Sequence, residues 1–270
     1  MKISLIVNKT KGAAEEYAHL IQKYLEQRGA ALSVFYESYR RTDLLWSDFI
    51  ITLGGDGTIL RAAGVLRGAD IPILGINVGH LGYLTEVTEK ERIPAALDSL
   101  LSGDFYRDER TMLRADVLRN GSILASQLAL NEVLMSRCAG ISILHFGVFC
   151  DGQEMQHYSA DGIIVATPTG STAYNLSAGG PVVSPTAPVY IMTPICSHSL
   201  NGRAVILDDS SVLEVRVESP QQIVAFDGEN VTPLSEGDIV RISKAREKTT
   251  LIKIRRGSFL EVLREKMAGV

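Results

Sequence analysis

Gly54-Gly55-Asp56-Gly57-Thr58 stands between the apolar run 49–53 and a helix-forming stretch that begins Ile59-Leu60, giving a strand, a glycine-rich turn with one carboxylate, and a helix start. Glycines carry no Cβ, so backbone N–H groups can close on an anion, and the helix start adds unpaired donors and a favourable dipole. That geometry suits a phosphate. A carboxylate there is electrostatically costly unless it holds a metal ion or accepts a proton from a nucleophile, which makes Asp56 a candidate acceptor in phosphoryl transfer. A helix-capping aspartate in a tight turn is the alternative. Arg61 follows Gly57 by four residues, and helical side chains lean toward the amino end, so its guanidinium can reach back over the phosphate or form a surface ion pair.

A second cluster runs from Tyr158-Ser159-Ala160-Asp161-Gly162 through Thr167-Pro168-Thr169-Gly170-Ser171-Thr172-Ala173-Tyr174-Asn175-Leu176-Ser177-Ala178-Gly179-Gly180-Pro181. No amphipathic helix or strand needs such a sequence. Dense hydroxyls and small residues present short donors and acceptors around a large polar ligand, and Tyr174 adds a ring with a polar tip. A loop that satisfies its own backbone is the plainer reading. Asn131-Glu132 offers an amide and a carboxylate for an adenine amino group and a ribose hydroxyl, but strand neighbours point to opposite faces. Both reach one ligand only at a strand end or bulge. Asn77 and His80, at another strand exit, can line a cleft or satisfy a turn. There is no Walker-type phosphate loop, no G-x-G-x-x-G after the first strand, no G-x-S-x-G elbow, and no zinc spacing among five histidines and three cysteines.

The elements that must position these residues change character along the chain. Apolar runs at 3–7, 31–36, 49–53 and 71–77 read as strands. They alternate with helical patterns at 17–25, 58–67 and 89–101, stopped by Gly29, Gly68 and Gly103, which predicts a mostly parallel sheet flanked by helices. After Tyr106, Asn120-Gly121, Asp151-Gly152 and Asp227-Gly228 punctuate short apolar runs and predict antiparallel strands, before a last helix over 258–267. The expected domains are therefore 1–105 with 256–270, an α/β domain, and 106–255, a β-rich domain.

At 270 residues with 46% hydrophobic and 21% charged side chains, the chain can bury full cores and is not of disordered composition. A formal net charge of −4 supplies no bulk positive field, which disfavours nucleic acid as a partner. The amino-terminal apolar run is too short for a secretory leader, no run approaches membrane-spanning length, and three cysteines without metal spacing argue against a disulfide framework. A cytoplasmic protein with no membrane partner is the expectation.

Taken in order, Gly54-Gly55-Asp56-Gly57-Thr58, Ile76-Asn77-Val78-Gly79-His80-Leu81-Gly82-Tyr83-Leu84, Asn131-Glu132, Asp161-Gly162 and the 167–181 block resemble the NAD kinase family over most of the chain. The resemblance implies an amino-terminal α/β domain, a carboxy-terminal β-rich domain and a last helix returning to the first. It also implies transfer of the terminal phosphoryl group of ATP, or of another donor such as polyphosphate, to the 2′-hydroxyl of the adenosine ribose of NAD, with a divalent ion such as magnesium. Asp56 is then the proton acceptor, and Gly54, Gly55, Gly57, Thr58, Arg61, Asn131, Glu132, Asp161, Thr172, Ala173, Tyr174, Asn175 and Ser177 bind nucleotide. A homodimer or homotetramer is implied as well. The chain departs from many bacterial members at Ser159, often arginine there, and at Ser142, often basic or histidine. A lipid kinase of the diacylglycerol or sphingoid type shares the glycine-aspartate block but follows it with an Asn-Glu pair, where this chain has Ile59-Leu60-Arg61. A non-catalytic dinucleotide sensor is the other rival.

Overall fold

A computed structural model describes the chain except residues 11, 37, 80–81, 139, 141, 199–201, 256–258 and 269–270; His80, Leu81 and Ser258 therefore lie outside the described residues. The chain divides into two compact units, Met1–Arg110 with Lys248–Val270, and Thr111–Glu247.

In the first unit β1 (Lys2–Val7), α1 (Ala14–Glu26), β2 (Ala31–Phe35), α2 (Arg41–Leu44), β3 (Phe49–Leu53), α3 (Asp56–Leu66), β4 (Ile73–Ile76) and α4 (Ile93–Ser102) follow in order. The strands run parallel in the order β2-β1-β3-β4. Helices cover both faces of such a sheet, so β1, β3 and β4 are almost wholly buried and read as continuous apolar runs. Ile3, Leu5, Ile51, Leu53 and Leu74 pack with Ala18, Ile21 and Leu25 of α1 and with Leu97 and Leu100 of α4. The chain leaves β1 toward β2 on one side and returns to β3 on the other, which puts the sheet's switch point at the carboxyl ends of β1 and β3.

The second unit contains β5 (Tyr106–Arg119), β6 (Ser122–Ala129), β7 (Glu132–Arg137), β8 (Leu144–Cys150), β9 (Gln153–Ala160), β10 (Gly162–Ala166), α5 (Tyr174–Ser177), β11 (Val189–Ile195), β12 (Val205–Asp208), β13 (Leu213–Val217), β14 (Gln222–Phe226), β15 (Glu229–Leu234) and β16 (Ile239–Lys253). β5 begins, and β16 ends, in the first unit, where Leu251 pairs with Ile73 of β4. One antiparallel sheet has the order β12-β11-β10-β7-β14-β15, and β16, β13, β8 and β9 pair in a second. A single core takes Val133, Val165, Met192 and Phe226 from the first and Phe146, Val148, Val215 and Ile242 from the second. Asn120 and Asp151 take left-handed φ of 51° ahead of glycines at 77° and 78°, the backbone that two-residue hairpins demand. The last helix, α6, is Phe259–Ala268.

Three expectations shift. The helix after the glycine turn starts at Asp56 rather than Thr58, because Gly55 adopts the extended N-cap conformation one residue earlier. The stretch 89–101 opens with a 3-10 turn, Lys90–Arg92, and Pro94 then sits in the first turn of α4, where a missing N–H costs nothing. The hydroxyl-rich block, read as loop, coils into a 3-10 turn, Thr169–Thr172, and the one-turn α5. Among the described residues no helix is long and apolar enough to cross a membrane.

Candidate functional site

In the first unit, Gly54 continues the sheet by donating its N–H to Ile76 O at 2.9 Å, and a Cβ there would overlap Thr58 Oγ1. Cβ atoms at Gly55 and Gly57 would meet nothing within 4 Å, so these two glycines border open space. Asp56, at the first position of α3, turns its carboxylate onto the segment after Gly82. Oδ2 accepts from Tyr83 N at 2.8 Å, and Oδ1 from Leu84 N at 3.1 Å and Thr85 N at 3.4 Å. Gly82 is required for this approach, since a Cβ would overlap Asp56 Oδ1. A carboxylate has about four acceptor positions; three are engaged, and the one that remains is on Oδ2.

Beside this turn, at the switch point, a cleft of about 170 Å³ is lined by Asn8, Lys9 and Thr10 after β1, Tyr36 after β2, and Thr58 and Arg61 of α3. Asn8 is held by accepting from Thr10 N and Oγ1 at 3.1 and 2.8 Å. The Lys9 ammonium lies 4.6 Å from the centre of the Tyr36 ring. Thr58 Oγ1 is buried without a hydrogen-bond partner among the described residues, and such an orphan costs about 1–3 kcal/mol unless a ligand meets it. Two basic side chains, an unpaired hydroxyl and a helix start suit the oxygens of a phosphate chain.

In the second unit, Asn131 and Glu132 sit where β7 begins, with Leu130 and Asn131 in a bend and Glu132 opposite Ala166 of β10. Glu132 is buried, and its Oε2 has no hydrogen-bond partner among the described residues. Burial first, then the Asp227 charge, push its carboxyl up to about 7. The turn from Thr169 onward leads to Thr172, Ala173 and half-exposed Tyr174, all beyond the same end of β10. Asn175 is fully buried: its Nδ2 donates to Ser171 O and Pro181 O, both at 3.1 Å, and its Oδ1 accepts from Thr193 Oγ1 at 2.7 Å. Its amide shapes the turn, while Ser177 ends α5 at the surface.

Asp161 is not brought to this group. It precedes β10, opposite the far end of β7, roughly 17 Å from the Glu132 end at about 3.4 Å per residue, and it pairs with Arg137 at 2.8 Å. At the two departures, Ser159 Oγ bonds His145 Nδ1 at 3.0 Å, and the Ser142 carbonyl accepts from Arg137 at 3.5 Å. Sequence reasoning missed Arg137, Lys9 and Asp227. Arg137 and Lys9 carry no local signal, and Asp227 was visible only as half of a turn dipeptide. No group of three or more His, Cys, Asp or Glu that could hold a metal occurs among the described residues, so the donor set does not fit an ion caged by the protein alone.

The family model for the ATP-NAD kinase N-terminal domain matches residues 40–105, and that for the C-terminal domain matches residues 130–254. An NAD kinase of Symbiobacterium thermophilum is 39% identical over 281 residues, covering 99% of each chain. Another, of Moorella thermoacetica, is 39% identical over 98% of this chain and 89% of its own. A crystal structure of an NAD kinase from Archaeoglobus fulgidus in complex with ATP superposes with a TM-score of 0.83 at 27% identity over 100% of both chains. Yeast NADH kinase complexed with NADH shares the fold, with a TM-score of 0.90 at 23% identity over 99% of this chain and 88% of its own.

Proposed function

The chain belongs to the NAD kinase family, and from that premise we propose how its own residues transfer the terminal phosphoryl group of ATP to the 2′-hydroxyl of the adenosine ribose of NAD, giving NADP. Asp56 accepts the hydroxyl proton at the open position of Oδ2. The observation that carries this role is the set of three backbone N–H groups from Tyr83, Leu84 and Thr85, which fix the carboxylate before substrate arrives. A loose phosphoryl-transfer state delays proton loss, so a weak but fixed base suffices. Lys9, Arg61, Thr58 Oγ1 and the N–H groups of the turn at Gly55 and Gly57 hold the donor's phosphates, while Gly54, whose own N–H is taken by Ile76 O, lets the turn close on Thr58.

Asn131 and Glu132 take the adenine amino group and ribose hydroxyls, helped by Thr172, Ala173, Tyr174 and Ser177, while Asn175 shapes the turn that presents them. Asp161, held by Arg137, contributes to the dinucleotide apart from the Asn131 group. A divalent ion, magnesium by preference, would supply charge neutralisation to the donor's phosphates when bound, and an ion brought in by the phosphates would need few protein ligands. The same reading includes a homodimer or homotetramer and a cytoplasmic setting, the latter supported by free thiols at Cys138, Cys150 and Cys196.

The test mixes protein, ATP, magnesium and NAD and detects product with an NADP-specific dehydrogenase, with polyphosphate and NADH in parallel arms. Asp56→Asn is expected to lower turnover by at least about a thousandfold while NAD still binds. Near wild-type turnover in that variant overturns its assignment; NAD binding by the wild type without ATP-dependent product overturns the activity.

A further inference from the structure

Three consecutive backbone N–H groups, those of Leu130, Asn131 and Glu132, converge on one carboxylate. Asp227 Oδ2 accepts from Leu130 N at 2.7 Å, and Oδ1 from Asn131 N at 2.7 Å and Glu132 N at 3.0 Å. Successive N–H groups of an extended strand alternate in direction, so three can meet one acceptor only where the backbone bends. The carbonyls of the bend are fixed too. Thr167 Oγ1 donates to Leu130 O at 2.6 Å, Thr167 N to Asn131 O at 2.8 Å, and Asp227 N to Glu132 O at 3.0 Å. Gly170 closes the arrangement, because a Cβ there would overlap Asn131 O. Every backbone donor and acceptor of residues 130–132 thus has its partner, and the side chains of Asn131 and Glu132 remain for another use.

We propose that Asp227 is a positioning residue for the dinucleotide: from the end of β14 it bends residues 130–132 so that Asn131 and Glu132, which a regular strand would send to opposite faces, serve one ligand. The inference rests on the assignment of those two residues to NAD. Electrostatics alone gives no reason for the arrangement. It sets a nearly buried carboxylate beside a buried glutamate, and burial pushes Asp227 up to about 6 against the lowering effect of its three N–H bonds. A neutral turn would avoid that cost. What the carboxylate adds is a second acceptor oxygen, without which one of the three donors on the bend goes unmet.

Asp227→Asn keeps the shape and removes one acceptor oxygen. It is expected to raise the KM for NAD by about tenfold or more and leave the KM for ATP within about twofold. Combined with Glu132→Gln, it should raise the NAD KM no further than about twofold beyond the worse single variant, because both act through one bend. Asp238→Asn is the control. That aspartate is buried in the same unit, bound to Arg119 at 2.8 Å and to Ser235 N at 2.7 Å, and its loss should leave the NAD KM within about twofold. An unchanged NAD KM in a folded Asp227→Asn, independent multiplication in the double variant, or an equal NAD defect in Asp238→Asn overturns the proposal. Should Asp227→Asn not fold, Thr167→Val must raise the NAD KM and Thr167→Ser restore it, and an unchanged KM in Thr167→Val is equally decisive against it. Wild-type protein that makes no NADP would instead sink the activity on which the inference rests.

Discussion

At the scale of the residue, the candidate carboxylates stand in unlike surroundings. Asp56 is met by three N–H groups and keeps one acceptor position; Asp161 is paired with Arg137; Glu132 is buried with an oxygen unmet. The Glu132 carboxyl is raised from an ordinary 4.5 to about 7, first by burial and then by Asp227. A group that binds its proton more tightly folded than unfolded stabilises the fold fully below about 4.5, and that stabilisation is lost as pH rises toward 7. Between pH 4.5 and 8, wild-type protein should therefore lose about 3 kcal/mol that Glu132→Gln does not lose. Asp227, itself raised to about 6, keeps some slope in the variant. Denaturant melts of both proteins across that range provide the check, and parallel stability curves would contradict the assigned burial of the charge.

At the scale of the element, the candidate residues are concentrated where strands stop. Parallel strands β1 and β3 end at the cleft of Lys9 and Thr58, while β7 starts and β10 and β14 end around the bend at Asn131. The turn after β10 separates shape from contact, since adjacent residues point inward and outward. Asn175→Ala removes three hydrogen bonds, two of them buried and one part-buried, and should cost about 3 kcal/mol of stability, read as a lower denaturation midpoint. Tyr174→Ala, at a half-exposed ring, should cost under about 1 kcal/mol while raising the KM for NAD. Equal destabilisation by the two would show that the turn does not divide its labour in this way.

At the scale of the whole molecule, the two units have separate cores, and the proposed reading assigns the donor's phosphates to residues of one and most contacts to the dinucleotide to residues of the other. Lys9→Ala, in the unit of residues 1–110 and 248–270, should raise the KM for ATP by about tenfold and leave that for NAD within about twofold. Asp227→Asn, in the unit Thr111–Glu247, should do the reverse. Steady-state kinetics with each substrate varied decides it, and a common effect on both constants would break the division. The sequence by itself determined the order of an α/β half and an antiparallel half, the glycine turn at Asp56, and the kinase resemblance of its blocks, because hydrophobic period, missing Cβ atoms and turn dipeptides are local properties. Only the tertiary structure decided that Asp56 holds the N–H groups of residues 83–85, that Asn175 faces inward, that Asp161 stands with Arg137 away from Asn131, and that Asp227 bends a segment some 95 residues earlier in the chain. The reason is physical: a buried polar group takes whichever partner the fold delivers, and a partner delivered from a distant strand leaves no trace in local spacing.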